Sequence, residues 1–430
     1  MGREQVHALG FSAADPAAVW AIARDFCGLW HPALATMRAE RGPQGALIRA
    51  FTASGEDTLY REQLTWFSDS DRSYGYRHLE GIRGVESYNA RLSVTAAERG
   101  GSVISVTARL TAAPQRAAEI AEGTKAIFES GIKALAAQAE AGGAQTPLAA
   151  LPAPVAVDTR MIDDLPRLAV SVTPARPGPL VIFLHGIGGG RRNWLDQLGV
   201  VGTVTQAAAL DLRGYGDSTL GPQPSTVDDY CADILRLRQV LGADKLVLVG
   251  LSYGSWIATS FAMRHPEMLA GLVLSGGCTG MSEAGPEERE AFRVSREVPL
   301  NAGQVPADFA PAVVKVLAGP DASAPVRAAL LQSMAAIPAA TYRDALLCFT
   351  NPLERFDFSR LTMPVLMMTG AHDRLAPPAE IRAVAGRIFD LAPQPDVRFE
   401  VIANAGHVCN VEAPETYSRL LLEFLAKVAA

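Results

Sequence analysis

The sequence predicts an antiparallel α+β domain followed by a mostly parallel α/β domain, and three observations support this fold class. The 430 residues exceed the length of about 250 to 300 residues at which a single hydrophobic core stops growing. Closely spaced strands up to residue 111 give way to alternating strands and helices after residue 158. Residues 140–157 are rich in Gly, Pro and Ala without periodicity, which is typical of an interdomain linker. We therefore place the domains at 1–139 and 158–430.

The first domain is predicted to run from a short helix through a sheet to a long helix. Asp15 is placed to cap the short helix, with Pro16 at its first position. The predicted strands are 46–53, 59–67, 72–79, 86–95 and 102–111. Because these strands follow one another closely, they are expected to pair antiparallel. After Pro114 a helical pattern follows, whose apolar stripe would lie across the sheet: Ile120, Ile127, Phe128, Ile132 and Leu135.

Short motifs accompany this order of elements: Asp15-Pro16-Ala17-Ala18-Val19-Trp20, Phe26-x-x-Leu29-Trp30-His31-Pro32, Tyr60-Arg61-Glu62 and Tyr74-x-Tyr76. In these features residues 5–139 resemble the polyketide cyclase and START-like lipid-binding superfamily, also called SRPBCC. The resemblance implies a helix-grip fold whose sheet curls around the long helix and leaves an apolar cavity, but it implies no catalytic residue. We expect some of the aromatic residues to line such a cavity: Trp20, Trp30, Tyr60, Trp66, Tyr74, Tyr76 and Tyr88. Ligand binding, substrate processing and a structural role all stay open for this domain.

The second domain contains a candidate nucleophile between a predicted strand and a predicted helix. Its predicted strands are 179–184, 207–212, 245–249, 272–275, 364–368 and 397–402, which predicts a buried sheet with helices on both faces. After the strand at 245–249 the chain reads Gly250-Leu251-Ser252-Tyr253-Gly254. A G-x-S-x-G pentapeptide in this context forms a strained turn that exposes the serine hydroxyl above the sheet. The sequence therefore predicts Ser252 as a nucleophile.

A serine hydroxyl needs an adjacent base, and in this arrangement the acid and then the histidine follow the serine along the chain. His407 follows the predicted last strand in Asn404-Ala405-Gly406-His407-Val408 and is the expected base. Asp373 follows the strand at 364–368 and is expected to hold the imidazole tautomer. His372 is the rival base, although its neighbour Asp373 explains this loop better.

A Gly-rich turn after the strand at 179–184 supplies candidate donors for an oxyanion. We assign this oxyanion hole to the backbone N–H groups of Ile187 and Tyr253. Gly186 and Trp194 are assigned to substrate binding. His185 is interpreted as a structural residue of the turn, because one base already suffices.

Taken together, residues 158–430 resemble the α/β-hydrolase superfamily. The motifs H-G-x-G, D-x-R-G-x-G-x-S, G-x-S-x-G, G-x-x-D and G-H occur in the family's order. The stretches Gly370-Ala-His-Asp-Arg-Leu-Ala-Pro-Pro and Ala405-Gly-His-Val-Cys-Asn-Val-Glu-Ala-Pro are similar to those of enol-lactone hydrolases and carbon-carbon bond hydrolases. Tyr253 and Ser255 stand where many relatives have Met and Gly, which leaves the subfamily open.

The resemblance implies a helical lid at about 279–350, and its apolar residues favour a substrate with an apolar body: Met281, Phe292, Phe309 and Met334. Three arginines lie near one predicted helical face of this segment: Arg289, Arg293 and Arg296. They could bind a carboxylate, but the interleaved glutamates favour a solvated charged face. The expected activity is hydrolysis of an ester or lactone. Carbon-carbon bond hydrolysis of the β-diketone type, cofactor-free oxygenation or perhydrolysis, and a non-catalytic receptor remain alternatives.

Composition narrows the partners to small molecules. The net charge is −6, without a dense run of Lys or Arg, which argues against nucleic acid and anionic membranes as partners. The five cysteines are scattered without metal-ligand spacing, which predicts free thiols, a cytoplasmic location and no metal or other cofactor. The oligomeric state stays open, a homodimer included.

Overall fold

The computed structural model describes residues 2–42, 45–97, 100–142, 150–353 and 355–428. Residues 143–149 of the expected linker lie outside the described residues, and residues 150–157 adopt no regular secondary structure. The chain forms two compact units. One contains the residues up to 149 together with 395–400, and the other contains 150–394 and 401–429.

The first unit is an antiparallel sheet followed by a long helix. Its elements are β1 (Gly2–Ser12), α1 (Pro16–Ala23), β2 (Leu34–Arg41), β3 (Leu47–Ala53), β4 (Leu59–Ser68), β5 (Ser73–Glu80), β6 (Val85–Ala96), β7 (Ser102–Ala112) and α2 (Pro114–Glu140). The strands are ordered β1-β7-β6-β5-β4-β3-β2, and every neighbouring pair is antiparallel. The predicted α+β architecture is confirmed, and β1 and β2 are strands that the sequence analysis did not predict.

The core of this unit lies between the sheet and α2. Four of the five predicted stripe residues of α2 are buried, but Ile127 is 53% exposed, so its placement in the stripe was wrong. At 100° per residue, Ile127 lies about 90° from the centre of the buried face of α2, at the margin of its packing surface.

Most of the aromatic residues expected at a cavity belong to this core. Four of the seven lie in it, namely Trp20, Tyr74, Tyr76 and Tyr88, whereas Trp66 is buried outside it. The rings of Tyr74 and Tyr76 lie 6.1 Å apart, and those of Tyr76 and Tyr88 lie 6.5 Å apart. These rings therefore fill the space between strands and helix by packing on one another, and an apolar cavity in this unit stays a prediction.

The second unit is built on a mostly parallel sheet. Its strands are β8 (Asp158–Ile162), β9 (Leu168–Val172), β10 (Leu180–Leu184), β11 (Ala207–Leu210), β12 (Leu246–Leu251), β13 (Leu269–Ser275) and β14 (Val365–Gly370). The last strand, β15 (Val397–Ile402), is divided, because its residues up to 400 belong to the first unit and 401–402 belong to the second. The order of β8 to β14 in the sheet is β8-β9-β11-β10-β12-β13-β14. The pairs from β11 through β10, β12 and β13 to β14 are parallel, whereas β8 and β9 form an antiparallel edge. Strands β10 to β14 are buried almost throughout, as expected for a sheet covered on both faces.

Helices cover this sheet, and four more occupy the segment predicted as a lid. The covering helices are α3 (Leu195–Val201), α4 (Val227–Val240), α5 (Tyr253–Arg264), α10 (Pro378–Leu391), α11 (Cys409–Glu412) and α12 (Pro414–Val428). The lid helices are α6 (Pro286–Asn301), α7 (Pro306–Leu317), α8 (Ala324–Ala335) and α9 (Ala339–Thr350). Across the described parts of the chain, no helix is both long enough and apolar enough to span a bilayer.

Candidate active site

Ser252 occupies the turn between β12 and α5. Its backbone has φ 55° and ψ −113°, a left-handed conformation that costs an L-residue free energy and persists only where the surroundings enforce it. Close packing leaves no room for a side chain at Gly250 or Gly254, the glycines on either side of Ser252. A Cβ atom on Gly250 would lie 2.4 Å from the carbonyl oxygen of Gly254, and one on Gly254 would lie 2.1 Å from that of Leu184. The Ser252 amide donates to the Ser275 oxygen at 2.8 Å, which ties the turn to the neighbouring strand β13.

His407 and Asp373 form a buried pair after β15 and β14. The His407 Nδ1 atom lies 2.9 Å from Asp373 Oδ2 and 3.0 Å from Oδ1. The amides of Leu375 and Ala376 donate to Asp373 Oδ1 at 2.8 and 2.9 Å. Burial alone would raise the pKa of Asp373, but the hydrogen bond and charge of His407 together with these amides outweigh it, so the pKa is lowered. The carboxylate of Asp373 is therefore kept ionised, and in this form it can fix the orientation and tautomer of the His407 imidazole.

His372, the rival base, is exposed and is absent from the cavity wall described below. Its amide donates to the Ala405 oxygen at 2.9 Å, so its backbone helps to align the loops that carry Asp373 and His407. The side chain that reaches the imidazole of His407 is that of Asp373.

The two amides assigned to the oxyanion hole lie at the start of α5 and in the turn after β10, and both residues line a cavity with Ser252. Tyr253 is the first residue of α5, so its amide has no acceptor within the helix. Within the described part of the chain, the amide of Ile187 also has no protein acceptor. His185 has a structural position, because its Nδ1 lies 2.8 Å from the Gly186 oxygen and its Nε2 accepts from the Leu212 amide at 3.1 Å.

A cavity of about 900 Å³ lies between these turns and the lid helices. Five of the predicted site residues line it: Gly186, Ile187, Ser252, Tyr253 and His407. Its lid side is largely apolar and includes the four apolar lid residues named from the sequence: Met281, Phe292, Phe309 and Met334. Such a wall suits a substrate with an apolar body.

Trp194 does not line this cavity. Its side chain is 0% exposed, and its ring lies 5.0 Å from that of Phe183 and 5.8 Å from that of Tyr417. The prediction that Trp194 contacts the substrate is therefore wrong. Its side chain packs in the core beneath the turn that follows β10. The motif that placed it near the site marks a position in the chain but not the direction in which the side chain points.

The arrangement of Ser252, Asp373 and His407 on a mostly parallel sheet agrees with the protein family that the chain matches. The family model of the alpha/beta hydrolase fold matches residues 179–414, more than half of the chain. The chain belongs to the α/β-hydrolase fold family. A second model, described as polyketide cyclase / dehydrase and lipid transport, matches residues 11–140, as the resemblance of the first domain implied.

Individual relatives of this hydrolase agree with the family. The protein named "Putative carbamate hydrolase RutD" from Enterobacter cloacae subsp. cloacae is 30% identical over 273 residues, covering 61% of this chain and 97% of its own. A thermophilic esterase from Thermogutta terrifontis is 26% identical with a TM-score of 0.56, covering 63% of this chain and 100% of its own. The enol-lactonase from Burkholderia xenovorans LB400 shares the fold at 21% identity and a TM-score of 0.50, covering 61% and 97%.

The sequence did not single out Glu412, whose carboxylate contacts the loop that presents His407 in this hydrolase. Glu412, at the end of α11, accepts two backbone hydrogen bonds through Oε2, from Gly319 at 2.7 Å and from Gly406 at 3.0 Å. The His407 amide in turn donates to the Leu317 oxygen at 2.8 Å. Glu412 thus joins the segment between α7 and α8 of the lid to the loop that presents His407. The sequence indicated only that Glu412 lies five residues after His407. That spacing did not identify Gly319 as a hydrogen-bond partner of Glu412.

We expect Glu412→Ala to lower the free energy of unfolding by about 2 kcal/mol and kcat by about tenfold. The substitution leaves two partly buried amides without an acceptor and loosens the loop of His407. Glu412→Gln keeps an acceptor oxygen and should restore most of both quantities. Thermal unfolding and steady-state ester hydrolysis measure the two effects.

The control for this prediction is Glu415→Ala, since Glu415 is exposed in the first turn of α12. A Glu412→Ala enzyme with wild-type kcat would show that the lid and the His407 loop are not coupled through this carboxylate.

The five cysteines are free. Burial raises the pKa of the Cys278 thiol, which lies on the cavity wall, to about 12. Over the residues that the structure describes, no group of His, Cys, Asp and Glu is arranged to hold a metal ion.

Proposed function

We propose that the protein is a serine hydrolase that cleaves an ester or lactone with an apolar body. Ser252 acts as the nucleophile, His407 as the base, and Asp373 orients His407. One observation carries this proposal: the strained, glycine-flanked turn holds Ser252 on the wall of the same cavity as His407, whose Nδ1 is engaged by Asp373. Strained backbone conformations of this kind cluster at active sites, where the surrounding structure enforces them.

In the proposed reaction, His407 takes the Ser252 proton through Nε2, because Nδ1 is occupied by Asp373. The Ser252 oxygen attacks the substrate carbonyl carbon, and the resulting oxyanion accepts hydrogen bonds from the amides of Ile187 and Tyr253. Collapse of the intermediate expels the alcohol, which receives the proton from His407. Water, deprotonated by His407, then attacks the acyl carbon, and the acid is released as the Ser252 oxygen takes the proton back from His407.

The relatives support the choice of substrate class. One is named an esterase, one an enol-lactonase and one a carbamate hydrolase, and all three names describe attack on a carbonyl carbon that carries a heteroatom leaving group. We therefore rank esters and lactones ahead of carbon-carbon bond cleavage. No metal or organic cofactor is required by the proposed steps.

Hydrolysis of p-nitrophenyl esters of increasing acyl length, together with a set of lactones and β-diketones, tests this proposal. We expect ester turnover that rises with apolar acyl length and is lost in Ser252→Ala. Turnover of β-diketones alone, or ester turnover that survives Ser252→Ala, would contradict it.

A further inference from the structure

The lid helix α6 turns one face toward the cavity. Five of its residues line the cavity, at the spacing of a single helical face: Glu288, Phe292, Ser295, Arg296 and Pro299. From the sequence, the interleaved glutamates predicted a solvated face for the arginines of this segment. That interpretation is wrong for Arg296, which is half-buried at the cavity wall.

The Arg296 guanidinium is fixed in place without a counter-ion. Its Cζ lies 3.4 Å from the centroid of the Phe292 ring. Nη1 donates to the Phe292 oxygen and to Ser295 Oγ, both at 3.2 Å. Among the described residues, Nε and Nη2 have no acceptor, and no carboxylate forms an ion pair with this side chain. By contrast, Arg293 on the same helix is paired with Glu290 and Glu297, each at 2.6 Å.

The acidic residues of the cavity wall do not neutralise this charge. Glu283 is paired with Arg387 at 2.6 Å, while Glu288 and Glu380 are exposed. Burial lowers the pKa of Arg296, which means that the cation is poorly compensated where it lies. A bound anion would supply the missing partner.

We propose that Arg296 binds a carboxylate on the substrate, so that the natural substrate is a monoanionic ester or lactone acid. This inference rests on the proposed function. The Nε and Nη2 donors form the edge of the guanidinium that matches the two oxygens of a carboxylate. A single cation near exposed glutamates suits one negative charge and disfavours a phosphate dianion. The apolar lid residues would then contact the chain between the carboxylate and the ester.

The test uses pairs of p-nitrophenyl esters of adipic, suberic and sebacic acid, each with its second carboxyl group free or methylated. For at least one chain length, we expect kcat/KM of the wild-type enzyme to be about tenfold higher for the free acid than for the methyl ester. Arg296→Gln should lower this ratio about tenfold, since a charge-assisted pair at a half-exposed site is lost. Arg296→Lys should retain part of the preference, because it keeps the charge but loses the planar pair of donors.

Arg293→Gln is the matched control on the same helix and should leave the ratio of the two kcat/KM values unchanged. A ratio that is the same in the wild type and in Arg296→Gln overturns the carboxylate site while leaving the proposed function intact. If the wild-type enzyme hydrolyses none of these esters, whether free acid or methyl ester, both the proposed function and this inference are overturned.

Discussion

Ser252→Ala should lower kcat for ester hydrolysis by roughly five orders of magnitude or more, as observed when one member of a cooperating triad is removed from a serine hydrolase. The reason is that the methyl group cannot attack a carbonyl carbon, and the His407–Asp373 pair then has no proton to accept. Binding should survive, because the apolar lid wall and the two amides of Ile187 and Tyr253 are untouched. Single-turnover and steady-state measurements on a p-nitrophenyl ester give the effect.

Ser255→Ala is the matched control for this substitution. Ser255 lies in the same segment, but its hydroxyl donates to the Ser275 oxygen at 2.8 Å and accepts from the Ser275 amide at 2.9 Å. Its loss should reduce stability by about 1 to 3 kcal/mol and leave kcat within about tenfold of the wild type. If Ser255→Ala and Ser252→Ala reduced kcat equally, the turn would matter for structure and Ser252 would not be the nucleophile.

Asp373→Asn should lower kcat by about three to four orders of magnitude with the fold intact. The amide oxygen can still accept from Leu375 and Ala376, so the loop geometry is kept. However, the neutral side chain neither enforces the tautomer of His407 nor stabilises its protonated form. Because the pKa of Asp373 is lowered in the folded protein, its contribution to stability is present above about pH 4 and is lost as the pH falls further.

His372→Ala provides the neighbouring control for Asp373→Asn. His372 is exposed, so its removal should change kcat little. The opposite pattern would be a severe loss of kcat in His372→Ala and a wild-type kcat in Asp373→Asn. That result would show that Asp373 is not the acid that orients His407.

The features that could be predicted from the sequence are those that local geometry imposes. The turn at Ser252 requires a glycine two residues before and two residues after the serine. The strand, the pentapeptide and the helix can therefore be recognised from one short stretch of sequence. Asp373 and His407 each follow an apolar strand, and the carboxyl ends of neighbouring parallel strands meet at one edge of a sheet. Their approach to 2.9 Å follows from that shared edge.

The features that escaped prediction depend on partners distant in sequence. Trp194 follows a motif that places it near the cavity, yet packing against Tyr417 turns it into the core. Glu412 gains its role from Gly319 in the lid. The edge strand β2 is largely exposed and lacks the alternation that reveals a half-buried strand.

Arg296 could not be distinguished from Arg293 by charge pattern, because both lie among glutamates on one helix. Only the packing of α6 over the cavity separates the arginine that is paired from the arginine that is not. Sequence periodicity identified the helix, and the tertiary fold decided which of its faces carries chemistry.

Peptide mapping after reaction with a fluorophosphonate probe tests the central assignment most directly, because only a serine activated by a base and facing oxyanion donors reacts quickly. We expect a single adduct on the peptide that contains Ser252, slow labelling in Asp373→Asn, and none in Ser252→Ala. An adduct on any other residue, or labelling of the Ser252→Ala protein at the wild-type rate, would rule out Ser252 as the nucleophile.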